Sequence, residues 1–443
     1  MFSNKDLRKL IIPLVIEQLL AVTIGMADTV MVSSCGEAAV SGISLVDSIN
    51  FLLITLFSSL ATGGAVIASQ YIGRGDHKSA SLAAKQLFYA SLALSAVLGV
   101  IAVFFRKPVL NMVFGSIEAD VMAHAQIYFL LSAISYPFLA VYNAGAALFR
   151  SMGDSRTTML ISILMNTINT VGNAILIYGF QMAAAGAATA SLVSRAVGAI
   201  IITVLLLNPR RIIFYDKLHK PEIHLSMLKS ILQIGVPNGL ENSIFQIGKI
   251  LVASIVSGFG TISITANAVA GNLASLQVIP GMALGMAMIT VVGQCIGAKD
   301  YEAVKKYTKK LMLITYGVVW AMTLLMLLFS KQILSFYSLS EETTTMTMEV
   351  FIVHGICAVI VWPLAFALPN ALRAANDVRF TMIVSLLSMW IFRIGFSYVL
   401  AIYFNMGILG TWIAMCIDWF CRGACFVIRF ARGKWKNISF IDN

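Results

Sequence analysis

Apolar runs long enough to cross a bilayer recur from one end of this chain to the other. Leu87 to Phe105 and Leu311 to Ser330 are two of them, each close to the roughly 20 residues that a spanning helix needs. Of 443 residues, 59% are hydrophobic and 12% charged, against roughly one-quarter charged in a soluble domain. A water-soluble fold has nowhere to put that surface, so the lipid is the solvent. The pattern predicts an all-α polytopic membrane protein with twelve transmembrane helices, near residues 10–33, 44–71, 87–105, 121–148, 157–180, 184–207, 226–257, 264–296, 311–330, 346–372, 380–404 and 408–430. The first stretch is long enough to span, and no soluble domain follows Ala21 to Ala27, so it reads as a retained helix and not a cleaved signal.

The net charge of +11 acquires its meaning from position. Alternate loops carry Lys5, Arg8 and Lys9, then Arg74, Lys78 and Lys85, then Arg150 and Arg156, and so on to Lys434 and Lys436. The opposite loops hold only Arg106, Lys107 and Lys331. By the positive-inside rule both termini are cytoplasmic in a multi-pass plasma (cytoplasmic) membrane protein. The charge is a topology signal, and no nucleic-acid partner is expected. The six cysteines form no zinc or disulfide framework, Cys421 and Cys425 lying one helical turn apart in an apolar segment. Of the histidines, His77, His219 and His224 fall in cytoplasmic segments, His124 opens a span, and His354 stands alone in another. With no His-Glu-x-x-His pattern and no clustered nucleophile, neither enzymatic chemistry nor a bound cofactor is expected.

The chain also repeats itself. Pro13 and Glu17 recur as Pro237 and Glu241, and Gln70-Tyr71-Ile72-Gly73 with Asp76 recurs as Gln294-Cys295-Ile296-Gly297 with Asp300. Arg150-x-x-x-Asp154-x-Arg156 recurs as Arg373-x-x-x-Asp377-x-Arg379, and Gly186 as Gly410. Each repeat holds six spans, an even number, so both halves enter from the same side. The predicted architecture is two six-helix bundles, residues 1–208 and 226–443, related by a pseudo-twofold axis along the membrane normal and tethered by a cytoplasmic linker at 209–225. The repeated Arg-x-x-x-Asp-x-Arg segments read either as a salt-bridged clamp or, in preference, as a turn with membrane-flanking charge.

Ionisable groups at membrane depth are costly, roughly 2.5–3.5 kcal/mol each on insertion scales, so each needs a partner or a task. The first half has Glu17, Asp28, Asp47 and Arg195; the second has Glu241, Lys249, Arg393 and Asp418. Arg422 is set aside because it lies near the cytoplasmic end of its helix, where it can snorkel. The first half therefore has acid to offer a mobile cation. Arg393 and Asp418, in adjacent antiparallel spans, are expected to form a structural ion pair. Asp28, Asn169, Asn173 and Ser191 fall at one level near the outer boundary. A carboxylate, two amide oxygens and a hydroxyl suit a hard cation, and the carboxylate alone suits a proton. The bland alternative is that these polar groups bond one another to pack helices.

Met26-Ala27-Asp28-Thr29-Val30-Met31-Val32, Gly186-Ala187-Ala188-Thr189-Ala190-Ser191 and the stretch from Pro237 to Glu241 resemble the multidrug and toxic compound extrusion (MATE) family over nearly the whole chain. Glu241 to Lys249 and Ile417 to Arg422 resemble a bacterial subgroup of anaerobic Gram-positive organisms. The resemblance implies cation-coupled antiport of cationic drugs or metabolites by alternating access, driven by Na+ or H+, in a protein expected to be monomeric. It aligns Asp28 with the family's first-span aspartate, and Asn169 and Asn173 with the polar pair of span 5. Ser191 stands where threonine is usual, and Glu241 matches the span-7 glutamate. An aspartate expected in span 10 is absent, since Trp362-Pro363 occupies that region. The coupling ion is accordingly assigned to Asp28 with Asn169, Asn173 and Ser191, the only site where a metal ion, Na+, is expected. Glu241, Lys249, Glu17 and Asp47 are assigned to a substrate cavity for a small organic cation. The alternative on the same fold is a flippase for a lipid-linked precursor, disfavoured here because Lys249, Arg393 and Arg195 are each expected to have an acidic neighbour.

Overall fold

A computed structural model describes residues 2–439, except 116–117, 217, 219, 221 and 338, so Lys217 and His219 of the linker lie outside the described residues, as do the side chains of Met26, Ala27 and Thr29. The described residues form helices joined by turns and short irregular segments, with no strand among them. Eleven helices are long and apolar enough to cross a membrane. To these is added α1 (Asn4–Ser33, 30 residues), whose stretch from Leu10 to Val32 carries only Glu17 and Asp28 as charges. The twelve predicted spans are all present and most run several residues longer. Hydropathy marks the part of a helix in hydrocarbon, whereas backbone hydrogen bonding and capping continue it into the polar boundary.

The chain divides into two compact units, Met1–Gly239 and Leu240–Asn443. The first holds α1, α2 (Glu37–Arg74), α3 (His77–Phe104), α4 (Arg106–Phe114), α5 (Ala119–Ser151), α6 (Ser155–Asn173), α7 (Ala183–Leu206) and the start of α8 (Leu225–Ser257). The division falls inside α8, later than the linker boundary that the sequence suggested. The reason is a close backbone approach: a Cβ at Gly63 of α2 would stand 2.5 Å from the Ile231 carbonyl oxygen, and one at Gly235 would stand 3.1 Å from the Leu60 Cα. Small residues that let backbones meet are how helices associate without a hydrophobic drive. The linker is fastened to α3, since the Gln86 amide donates to the Glu222 carbonyl (2.6 Å) and the Tyr89 hydroxyl to that of Leu218 (2.8 Å).

The second unit continues α8 and adds α9 (Thr261–Gly297), α10 (Tyr301–Leu328), α11 (Ser330–Ser335), α12 (Glu341–Ile360), α13 (Leu368–Ala374), α14 (Val378–Ser388) and α15 (Gly407–Ala431). The short helices α4 and α11 were not foreseen. They occupy the same place in each repeat and bury Leu110 and Leu334 against the unit's core, too briefly to register as spans. The turns between long helices reuse one device. Gly75, Gly153, Lys299 and Asn376 adopt positive φ and stop one helix; the next residue is an aspartate, and Asp76, Asp154 and Asp300 cap the following helix from their side chains.

The repeat offset exposes one local difference. Arg150 and Thr158 correspond to Arg373 and Thr381 at 223 residues, whereas Gly186 corresponds to Gly410 at 224. The extra residue is absorbed between Thr381 and Gly410, where α14 passes into a π-helical segment, Met389–Gly395. A second segment, Tyr398–Tyr403, matches Ala174–Gly179 of the first unit, but Met389–Gly395 has no counterpart there among the described residues. A π-turn is the usual way for a helix to take up one inserted residue, and such turns frequently occur at functional sites. Arg393 lies within it.

Candidate functional site

Asp28 sits five residues before the end of α1, half-buried. Asn169 and Asn173, one turn apart near the end of α6, present their amides on one face. The Asn169 Nδ2 donates to Asp28 Oδ2 at 2.7 Å and the Asn173 Nδ2 to Asp28 Oδ1 at 2.8 Å. From α7, the Ser191 hydroxyl donates to Asn169 Oδ1 at 3.0 Å. The structure thus brings together all four residues placed at one level by sequence. Their orientation differs from the oxygen cage anticipated: the two amide nitrogens face the carboxylate, and the Asn173 Oδ1 is buried without a hydrogen-bond partner. A proton added to Asp28 would meet that oxygen after one amide rotation. A sodium ion would need both amides turned to present oxygen.

Asp47 and Arg195 are close enough to act electrostatically on Asp28. Asp47 is held by the Tyr128 hydroxyl (3.0 Å) and the Asn50 amide (3.3 Å), and Tyr136 donates in turn to Asn50 Oδ1 (2.7 Å). Arg195 donates to the Ser135 hydroxyl at 2.7 Å. The first unit therefore carries a polar interior with two carboxylates and one guanidinium.

The glutamates assigned to the substrate cavity are placed otherwise. Glu17 is 7% exposed, paired with Arg150 at 3.5 Å and bonded by the Thr158 hydroxyl at 2.9 Å. Glu241 is 6% exposed and paired with Arg373 at 2.7 Å. Each first-span glutamate of a repeat is thus latched by the first arginine of that repeat's Arg-x-x-x-Asp-x-Arg segment. The aspartates of the same segments take Arg211 (3.4 Å) and Arg429 (2.7 Å). The segments are therefore both turns and salt-bridged clamps. Two features that repeat together, Glu17 with Arg150 and Glu241 with Arg373, were the signal in the sequence that could have paired them.

The expected ion pair of Arg393 and Asp418 is replaced by another. Asp418 pairs with Arg422, one turn away on α15, at 3.0 Å, and the two are 0% and 3% exposed. The Ser388 hydroxyl also donates to Asp418. Intrahelical proximity wins because Arg422 reaches its carboxylate without crossing to another helix, and Arg422 does not snorkel. The Arg393 guanidinium instead lies 5.4 Å from the centre of the Phe245 ring. Lys249 is not joined to Glu241; its ammonium lies 5.3 Å from the same ring.

Helices of spanning length in number, a duplicated six-span plan and an intramembrane carboxylate under amide donors define a polytopic membrane transporter. The sequence profile of the MatE family matches residues 13–175 and again 237–399, the duplication at an offset of 224. The chain belongs to the MatE family: it is a MATE efflux transporter and not an enzyme. It is 26% identical to the "Probable multidrug resistance protein NorM" of Thermotoga maritima over 98% of this chain and 93% of that protein. It is 29% identical to the NorM of Bacillus cereus over 95% and 93%, and 26% identical to the "Uncharacterized transporter YisQ" of Bacillus subtilis over 96% and 93%. Among solved structures, an outward-facing multidrug resistance MATE family transporter of the MOP superfamily matches with a TM-score of 0.89 at 20% identity, over 98% of this chain and 97% of that one. At that identity the likeness concerns the fold.

Proposed function

We propose that this protein exports small organic compounds, drugs or metabolites carrying positive charge, in exchange for an inward-moving Na+ or H+ that binds at Asp28. The observation carrying this reading is the Asp28 carboxylate under Asn169 and Asn173, with Ser191 behind them. A charge at membrane depth with exchangeable hydrogen bonds is what a coupling ion requires. The multidrug resistance names of the relatives support an organic cargo, and the bias of Lys and Arg supports cytoplasmic termini.

The test is dye transport in proteoliposomes, with a sodium or a proton gradient imposed separately on wild type and Asp28→Asn. Transport driven by one gradient and lost in the variant names the ion. Full transport by Asp28→Asn, with ion dependence abolished instead by Glu241→Gln, would refute the assignment. A second reading, a flippase for a lipid-linked precursor, gains one observation: neither Lys249 nor Arg393 forms a salt bridge with a carboxylate among the described residues. It predicts no dye movement under either gradient.

A further inference from the structure

Three cationic groups surround a single aromatic ring in the second unit. The Lys249 ammonium, the Arg393 guanidinium and the Arg422 guanidinium lie 5.3, 5.4 and 5.2 Å from the centroid of Phe245. Arg422 also lies 5.1 Å from the Phe366 ring. The acid in contact with the group is Asp418, and it is engaged by Arg422 and Ser388. Arg393 acts electrostatically on Lys249, and Asp418 is the acid whose charge Arg393 senses, although the two form no salt bridge. Lys249 is exposed and Arg393 half-buried, and the Arg393 Nε is buried with no hydrogen-bond partner.

Two polar neighbours are already occupied. Ser397 donates to the backbone carbonyl of Arg393, and His354 Nδ1 is engaged with Gln277. Two like charges held together at membrane depth with neither salt-bridged to an acid are expensive, and aromatic faces offset only part of that. The insertion that creates the Met389–Gly395 π-turn is what sets Arg393 here. Behind Phe245 stand Phe366, edge-on at 6.3 Å, and Trp419, 5.4 Å from Phe366. The surroundings are thus an aromatic wall of mutually tilted rings beside two cations that form no salt bridge with a carboxylate among the described residues.

We propose that the second unit carries a binding site for an aromatic organic anion, in which Lys249 and Arg393 hold a carboxylate or sulfonate and the Phe245–Phe366 wall takes the ring. A guanidinium and an ammonium together match the oxygens of such an acid group, the first by paired N–H donors and the second as a mobile point charge. The site goes beyond the cation exchange proposed above and needs no gradient to be occupied. Failure of ion coupling at Asp28 and failure of anion binding here are therefore separate results.

Equilibrium dialysis of the full-length protein in neutral detergent tests it, using 2-naphthoate, the isosteric neutral 2-naphthamide and the cation 2-naphthylmethylammonium. Naphthoate binds at least about tenfold more tightly than either analogue, the difference expected for one charge-assisted hydrogen bond. Lys249→Gln and Arg393→Gln each weaken naphthoate by a similar factor and leave naphthamide unchanged. Because Lys249 is exposed, its variant folds even if that of Arg393 does not, and gel filtration checks both. Equal affinity for the three probes, or a folded Lys249→Gln that binds naphthoate as wild type does, overturns the proposal. Displacement by phosphatidylglycerol that naphthoate cannot reverse also overturns it, assigning the cations to a lipid phosphate.

Discussion

Replacing Asp418 by Asn is expected to destabilise the second unit more than replacing Arg422 by Gln, although the two form one ion pair. Both side chains are buried, at 0% and 3% exposure. Asp418→Asn removes the one carboxylate in contact with the Phe245 cluster and leaves Arg422, Arg393 and Lys249 facing one another. Breaking a buried pair so that a charge is left without compensation costs about 3–5 kcal/mol. Arg422→Gln leaves Asp418 with its Ser388 hydrogen bond and with Arg393, whose charge it already senses, as a replacement partner. That loss is nearer one hydrogen bond to a charged group, about 1.5–3 kcal/mol. The double variant removes both the acid and the most buried cation, so it is expected to be more stable than Asp418→Asn alone. The assay is reversible unfolding of purified protein by dodecyl sulfate titration in mixed micelles, followed by circular dichroism. An Arg422→Gln loss equal to or larger than that of Asp418→Asn, or additive losses in the double variant, would refute the reasoning.

Two further expectations follow from packing and capping. Gly63→Ala puts a methyl 2.5 Å from the Ile231 carbonyl oxygen, and overpacking against backbone costs about 1–3 kcal/mol; Gly271→Ala, whose added methyl meets nothing within 4 Å, is neutral or gains up to about 1 kcal/mol in helix propensity, and the same unfolding assay separates them. Asp76 caps α3 by accepting from the Ser79 N–H at 3.0 Å, and its hydrogen bonds with Ser79 hold its pKa below the usual aspartate value of 3.8. A carboxylate so depressed contributes stability above its unfolded pKa and loses it as pH falls through the folded value. Asp76→Ala should therefore lose about 1 kcal/mol at pH 7, with the difference from wild type shrinking as the pH falls through the lowered pKa of Asp76, and Asp76→Ser should be nearly neutral at pH 7.

The spans were legible because a bilayer imposes length and apolarity on every crossing, and the duplication because order and spacing survive drift. The level of Asp28, Asn169, Asn173 and Ser191 was legible for a related reason: a rise of about 1.5 Å per residue converts sequence distance from a helix end into depth. Depth does not give azimuth or atom identity, which is why the amide nitrogens and not the oxygens were found facing Asp28. Pairing by depth alone also failed at Arg393, where a one-residue insertion and its π-turn shift a side chain around the helix. Arg422 was missed because proximity to a helix end was taken as access to water, whereas Asp418 one turn earlier holds it inside.

The two units share a skeleton and differ in charge, and the duplication accounts for both. Parts that fix the fold are kept in each copy: the Glu17–Arg150 and Glu241–Arg373 latches, the aspartates after each positive-φ turn, and the short helices α4 and α11. Parts that fix the charge have diverged. At the offset of 224 the place of Asp28 is taken by Val252, and Arg393 stands in the π-turn that takes up the inserted residue beside the place of Asn169. A carboxylate with amide donors in one copy thus stands against a guanidinium without a salt bridge at an adjoining place in the other. Neither arrangement is free in a membrane. The first unit offsets its acid with hydrogen bonds, and the second offsets its cations with Asp418 and the faces of Phe245 and Phe366. Selection for stability alone would favour apolar residues at both places, because replacing buried charge by well-packed hydrophobic side chains is often neutral or stabilising. An acid in one copy and a cation at an adjoining place in the other is what two different ligands, a cation in the first unit and an acid group in the second, would maintain.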